Sequence, residues 1–200
     1  MNDPRDNTGL APVGIGEAKT VVPSRPSLKP LVKWSGGKID EIKQFSQYIT
    51  QDIDTYIEPF VGGGALFFHL NPKKAVISYV HTELMDFYKS IKEGHKEEIY
   101  SFMLKHENEE ETYYKVRDDF ESCSLDEQAV GNETLQNAVR FYYLRKTCFR
   151  GMLRYNKQGK FNIPFGRYKT YRFEDIKNKK YEDLLLSLIH ISEPTRLVWI

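Results

Sequence analysis

Apolar side chains fall in two rhythms along this chain, and the change of rhythm divides it. Ile39, Ile42, Phe45 and Ile49 recur at helical spacing and predict a short amphipathic helix after SGGK. DTYIEPF reads as a strand ending at Pro59, and GGGALFFHL as a glycine turn entering a helix. KKAVISYV is a second apolar strand, followed by the helical TELMDFYKSIKEG. This order implies parallel strands joined by right-handed crossovers, an α/β sheet whose ligands sit beyond the strand C-termini. From about His95 the strand rhythm stops. Two long helical stretches follow, EEIYSFMLKHENEEETYYKVRDDFE and TLQNAVRFYYLRKTCF, with Glu121 to Asn132 as a polar joint, and they predict a separate layer. Beyond them GMLRY and KFNIPF flank NKQG, a β-hairpin tip bearing Arg154, Lys157, Lys160 and Arg167. Residues 1–30 carry five prolines and few large apolar side chains, so they read as a flexible leader, with folding starting near Leu31.

Composition changes this picture little until charge is resolved along the chain. Two hundred residues suffice for one domain with a real core, and 40% apolar with 28% charged residues is ordinary for a globular protein. The 13 Tyr and 12 Phe call for a use. No apolar stretch approaches the roughly 20 residues that span a bilayer, and MNDPRDNTGL lacks the features of a signal peptide, so a soluble, cytoplasmic protein is expected. Cys123 and Cys148 have no metal-ligand spacing and read as buried thiols rather than a disulfide or zinc site. The net charge of +1 hides a polarised chain: residues 83–127 carry a net charge of −8 and residues 140–180 one of +11. The basic segment is either a footprint for a polyanion or the internal partner of the acidic one.

Two glycine turns carry the candidate chemistry. EPFVGGG ends the first strand with Gly62 to Gly64, which lets the main chain come close to a ligand and exposes helix N–H groups. It is neither G-x-G-x-x-G nor G-x-x-x-x-G-K-[ST], which disfavours dinucleotide oxidoreduction and phosphate binding and leaves a plain tight turn or another cofactor. In KWSGGK, residues 33–38, Trp34 is suited to lie against a flat ring and Lys38 to meet a carboxylate.

These two blocks together with RGMLRYNKQGKFNIPFGRY closely resemble, in this order, the Dam-type family of DNA adenine-N6 methyltransferases, over residues 29–175. The resemblance implies a partial Rossmann-like methyltransferase sheet with a helical and β-hairpin target-recognition region. The division it implies is a cofactor part over 31–94, a recognition part over 95–175 and a return toward the sheet over 176–186. It implies S-adenosylmethionine as cofactor, with Trp34, Lys38, Glu58, Phe60, Gly62 and Gly64 matching the family's cofactor blocks. It also implies double-stranded DNA as partner, no metal and a monomer. Lys33, Phe149, Arg150, Met152, Arg154 and Arg167 match positions that read or wedge the target. Arg suits guanine O6 and N7, and an aromatic suits the gap left by a flipped adenine. Lys157, Lys160, Lys169 and Arg172 suit phosphates. Arg150 and Met152 replace the Asn and Leu of GATC-specific members, which leaves the recognition sequence open.

Two departures stand out. The family's second strand ends in an Asp resembling a ribose partner, with Asn two residues on, whereas this chain has Tyr79 and His81 there, with Glu83 as a partial substitute. The Asp-Pro-Pro-Tyr tetrad that holds adenine in the family does not occur, so no catalytic residue is assigned. The ending SLIHISEPTRLVWI, residues 187–200, resembles translated adaptor read-through, which predicts a non-native tail, an incomplete sheet with an uncovered apolar face, and poor solubility. A phenol in place of a charged acceptor costs about 1.5–3 kcal/mol, or ten- to a hundredfold in affinity. Tyr79→Asp is therefore expected to tighten S-adenosylmethionine binding by that factor in isothermal titration, and unchanged affinity would remove the role given to position 79.

Overall fold

A computed structural model describes residues 26–49, 53–122 and 133–192; the leader up to residue 25, most of the polar joint with Cys123, and residues 193–200 lie outside the described residues. Strands β1 (Tyr56–Glu58) and β2 (Ala75–Ser78) pair in parallel with Tyr56 opposite Ala75 and Glu58 opposite Ile77. The crossover between them is helix α2 (Ala65–Leu70). It stops at Asn71, which takes a left-handed conformation (φ 47°), returns its N–H to the Phe67 carbonyl and precedes a proline. The side chain of Asn71 donates to the Pro26 carbonyl at 2.9 Å, tying down the start of the described chain. A third parallel strand, β3 (Leu188–Ser192), lies on the other side of β2, giving the order β1-β2-β3. This strand is formed by the segment read above as a foreign tail. Its Leu-Ile-His-Ile pattern suits the free edge of β2, so the pairing reflects that pattern and not its origin.

One face of the sheet is covered. Tyr56, Ala75, Ile77 and Leu188 point into a core shared with helices α3 (Thr82–Lys92), α6 (Glu133–Thr147) and α7 (Lys179–Leu186). Ile57, of opposite parity, is 65% exposed, and His190 is exposed as well because a bulge opposite Ala75–Val76 pairs it with Val76. Helix α3 buries Leu84, Met85, Phe87, Tyr88 and Ile91, and α6 meets it with Phe141, Tyr142 and Leu144. At their crossing Phe87 stacks on Tyr142 with centroids 4.8 Å apart and planes 12° from parallel.

Three expectations are corrected here. The predicted helix over 39–49 shrinks to α1 (Ile42–Phe45) and a 3₁₀ turn at Ser46–Tyr48. Of its apolar residues only Ile42 is fully buried, while Ile39 is 52% exposed, too little burial to hold a longer helix. The long stretch from 97 to 121 breaks into α4 (Lys96–Lys105) and α5 (Glu110–Ser122). Its freed carbonyls find tyrosine hydroxyls: Tyr171 reaches those of Met103 and His106 (3.1 and 2.9 Å), and Tyr143 that of Glu107 (2.7 Å). Here the tyrosine content finds its use. The hairpin, finally, has no continuous strands; it keeps single antiparallel bridges at Tyr155–Phe161 and Cys148–Phe165. Pro164 has no N–H to donate, and Phe161 and Ile163 are drawn into the core, where Tyr113 donates to the Ile163 carbonyl at 2.7 Å. The tip itself is formed: Asn156 Oδ1 accepts from the N–H groups of Gln158 and Lys160, both at 2.9 Å, and Gly159 supplies φ +78°.

Among the described residues no helix is long and apolar enough to cross a membrane, and no group of His, Cys, Asp and Glu side chains could hold a metal ion. Cys148 is buried, which pushes its thiol up to about 11. Because Phe87 lies fully buried in the α3–α6 stack, Phe87→Ala is expected to cost about 3–5 kcal/mol. That lowers the melting temperature by roughly 10 °C in circular dichroism, and a shift of only a degree or two would show that the stack is not a main support.

Candidate functional site

The two glycine turns meet at Trp34. A Cβ at Gly63 would stand 2.5 Å from the Trp34 Cβ, and one at Gly62 would stand 3.1 Å from Trp34 Cδ1 and Nε1. The indole therefore lies directly on the main chain of the turn. Gly64, with φ +72°, opens α2, and a Cβ there would be 2.8 Å from the Phe68 ring and 3.4 Å from the Tyr88 hydroxyl. The absence of side chains at Gly62 and Gly63 thus serves Trp34, and at Gly64 a helix entry, where the sequence had suggested close approach by a ligand.

Beside Trp34 opens a cavity of about 370 Å³. Val32, Gly63 and Ala65 are its buried lining, and Lys33, Gly37, Arg150 and Met152 its exposed rim, so the early KWSGGK loop and the Phe149–Gly151 turn share one space. The volume falls in the range of small-molecule sites. A second cavity of about 380 Å³ lies across Lys33 and Gly151, with Lys29, Lys146 and Arg172 on its wall.

The electrostatics are set by burial. Glu58, at the end of β1, accepts from the Tyr56 hydroxyl at 2.7 Å; desolvation outweighs that hydrogen bond and pushes its carboxyl up to about 7. The Tyr88 hydroxyl below the turn is buried with no partner among the described residues. His81 caps α3 by accepting the Leu84 N–H at 3.3 Å, and its Nε2 lies 2.8 Å from the Tyr155 hydroxyl across the site. Burial first, and then the charge of Arg145, push it down to about 4, so it is neutral at pH 7.

The structure gathers some candidate residues and disperses others. Lys33, Trp34, Arg150 and Met152 share the cavity, Gly62 lies under the indole, and Tyr79 meets it edge-on at 5.6 Å. Glu58 and Gly64 lie on either side of the turn near Tyr88. Phe149 is 45% exposed with the Arg150 guanidinium 5.4 Å from its ring centre, and Arg150 has φ +55°. Lys38, by contrast, pairs with Glu41 at 3.1 Å on the surface, and Phe60 is 80% exposed. Arg154 donates to Asn162, and Arg167 Nη2 alone donates to both oxygens of the Glu110 carboxylate, each at 3.1 Å. Glu83 lies against His81 at 3.1 Å. Sequence reasoning passed over Tyr88, Tyr155 and Arg145. Only Arg145 left a signal, a cation inside the apolar run FYYLRKTCF.

Comparison with known proteins gives the family of the chain. Residues 34–194 match the D12 class N6 adenine-specific DNA methyltransferase family. The chain belongs to that family. The matched span includes β3, in the segment read as a tail. The type II methyltransferase M.CviBI of Paramecium bursaria Chlorella virus NC1A is 52% identical over 164 residues, covering 81% of this chain and 59% of that protein. The type II methyltransferase M.MjaIII of Methanocaldococcus jannaschii is 38% identical over 181 residues, 82% of this chain and 61% of its own. The DNA adenine methylase of Salmonella typhi is 28% identical over 150 residues, 74% and 51% respectively. The chain thus spans about 60% of the length of the first two relatives.

The Trp34 seat is open to a direct check. Gly63→Ala forces a Cβ to 2.5 Å from the Trp34 Cβ and 3.3 Å from the first atom of the indole, whereas Gly36→Ala has nothing within 4 Å and carries only the strain of φ +72°. The first is expected to destabilise by about 1–3 kcal/mol and the second by about 1–2 kcal/mol. Only the first should alter near-ultraviolet circular dichroism of tryptophan, and identical spectra for both variants would unseat Trp34 from the turn.

Proposed function

We propose that the whole protein is a site-specific DNA adenine methyltransferase that moves a methyl group from S-adenosylmethionine to adenine N6 in a short duplex target. The observation that carries this is the single cavity walled by Trp34 of the cofactor block and by Arg150 and Met152 of the recognition block, in a chain of this family. The residues suit such a cofactor: a ring platform at Trp34, a buried wall without a side chain at Gly63, and an unpartnered buried hydroxyl at Tyr88 next to Glu58. S-adenosylmethionine, when bound, supplies an electrophilic methyl group on a sulfonium. Trp34 would flank its adenine, and Glu58, once ionised, would hold its ammonium group, with Gly62 and Gly64 shaping the turn between them. Lys38 and Phe60 would reach a ligand only after leaving the surface positions described above, and Tyr79 would serve as the edge that fixes Trp34.

On the DNA side Phe149 would wedge into the stack while Lys33, Arg150, Met152 and Arg154 face base edges, and Arg167 would exchange Glu110 for the duplex. Residues 31–94 would then act as the cofactor part and 95–175 as the recognition part. The groups that hold the flipped adenine are assigned to the protein outside these 200 residues, since no Asp-Pro-Pro-Tyr occurs within them. A second reading, a non-catalytic DNA-binding protein of the same descent, is favoured by Tyr79 standing where the family's acidic residue is expected.

Labelled methyl transfer to unmethylated duplex by the product of the complete reading frame separates the two readings. Incorporation supports the enzyme, and a gel shift without incorporation supports the binder. Glu58 gives a finer check on the chain itself. With its carboxyl raised to about 7, the ionised form grows as pH rises, and so does attraction for a cationic ligand. S-adenosylmethionine affinity is expected to increase about eightfold between pH 6 and 7.5, as the ionised fraction of a carboxyl near 7 does, and to lose that slope in Glu58→Gln; a slope that persists in the variant would take Glu58 out of the cofactor site.

A further inference from the structure

We infer that Arg145 is a positioning residue that couples the cofactor cavity to the DNA-reading segment, so that each ligand binds more tightly when the other is present. The inference rests on the reading of the two sites above. Arg145 lies in the last turn of α6, just before the Phe149–Gly151 turn, and is only 3% exposed. Its guanidinium carbon sits 5.3 Å from the centre of the Trp34 ring, and its Nη2 donates to the Lys33 carbonyl. One side chain from the recognition half thus holds both the cofactor tryptophan and the backbone of the DNA-facing lysine. The main chain repeats the link: a Cβ at Gly151, which has φ +59°, would be 3.3 Å from the Arg145 carbonyl and from Lys33 Cβ.

As a stabilising device this arginine is poor. Its Nε and Nη1 are buried without hydrogen-bond partners, and no carboxylate pairs with it among the described residues. A buried cation in that state is costly, and an apolar residue of similar volume commonly does better. What an apolar residue cannot supply is a simultaneous grip on an indole face and a carbonyl, which Arg has through its planar fork. The neighbouring contact of His81 with the Tyr155 hydroxyl at 2.8 Å also spans the two halves, and the His81 ring meets Trp34 at right angles at 5.4 Å, but unlike Arg145 it makes no hydrogen bond to Lys33. A displacement of Trp34 by bound cofactor is therefore passed to Lys33 through Arg145, and the reverse holds by linkage.

The test is isothermal titration of the 200-residue chain with S-adenosylmethionine, with and without saturating sheared unmethylated plasmid DNA. In the unaltered chain the duplex is expected to tighten cofactor binding fivefold or more. In Arg145→Lys, which keeps the charge but loses the fork, that factor should fall at least threefold while each ligand alone binds within threefold of the parent. In Arg145→Met it should approach one. A purely structural arginine would instead lower the melting temperature and both separate affinities together, leaving their ratio intact. Should Arg145→Met fail to fold, Arg145→Lys alone decides, and a parental ratio in it overturns the inference. An unaltered chain that binds both ligands independently also overturns it, whereas one that binds neither removes the proposed function as well.

Discussion

Contact between the Trp34 indole and the bare main chain of Gly62 and Gly63 is the constraint on which the rest of the site depends. At 2.5 Å from the Trp34 Cβ there is no room for a methyl group at position 63, so the loop from 33 to 38 and the turn after β1 are fitted to each other before any ligand is considered. The fit fixes the depth of the cavity, because Gly63 and Trp34 are two of its walls. It also sets where the Phe149–Gly151 turn can sit, because Arg145, just before that turn, lies over the same indole with its guanidinium carbon 5.3 Å from the ring centre. A ligand-binding glycine turn is usually explained by what it binds. Here part of the explanation is a side chain of the protein itself, and the ligand occupies the space that this packing leaves open.

The second layer is organised by tyrosine. Tyr143 and Tyr171 close the break between α4 and α5, Tyr113 anchors the arm of the hairpin, and Tyr181 donates to the Lys29 carbonyl at 2.8 Å, so hydroxyls take up backbone carbonyls that a break in helix or strand would orphan. Their rings meanwhile fill the core, as Tyr142 does against Phe87. The irregular segments thereby keep these backbone carbonyls hydrogen-bonded. The hydroxyls of Tyr88 and Tyr142 and two nitrogens of Arg145 are among the buried polar atoms left without a partner, and of these residues Arg145 reaches the wall of the second cavity.

Much of this was legible in the sequence. The order strand, turn, helix, strand, helix could be read because β1, α2, β2 and α3 each carry one clear period, and the three motif blocks led to the right family. Boundaries were missed where tertiary contacts override periodicity. The α4–α5 break depends on Tyr171, far along the chain, and the loss of hairpin strands depends on burial of Phe161 and Ile163. Single residues were hardest. Lys38 and Arg167 matched motif positions yet face carboxylates on the surface, whereas Arg145 matched none and lies between the two halves. Spacing along a chain says which types recur; it does not say which side chain a neighbour will claim.

Charge shows why the two readings of the basic segment need not exclude each other. Arg167 with Glu110 and Lys160 with Glu121 do pair the basic and acidic regions within the fold. Both cations are well exposed, at 74% and 60%, and exposed pairs are worth about 1 kcal/mol at most. A phosphate backbone offers a denser array of negative charge and releases counterions on contact, so such pairs can be exchanged at little cost. Internal pairing then keeps the basic arm ordered and screened in the free protein, and under the proposed function its opening on DNA makes association steeply dependent on salt. The groups left at the cavity rim, Lys33 and Arg150, make no ion pair among the described residues and need no such exchange. Under the proposed function, reading at the rim and gripping along the arm are thereby separated in energy as well as in space.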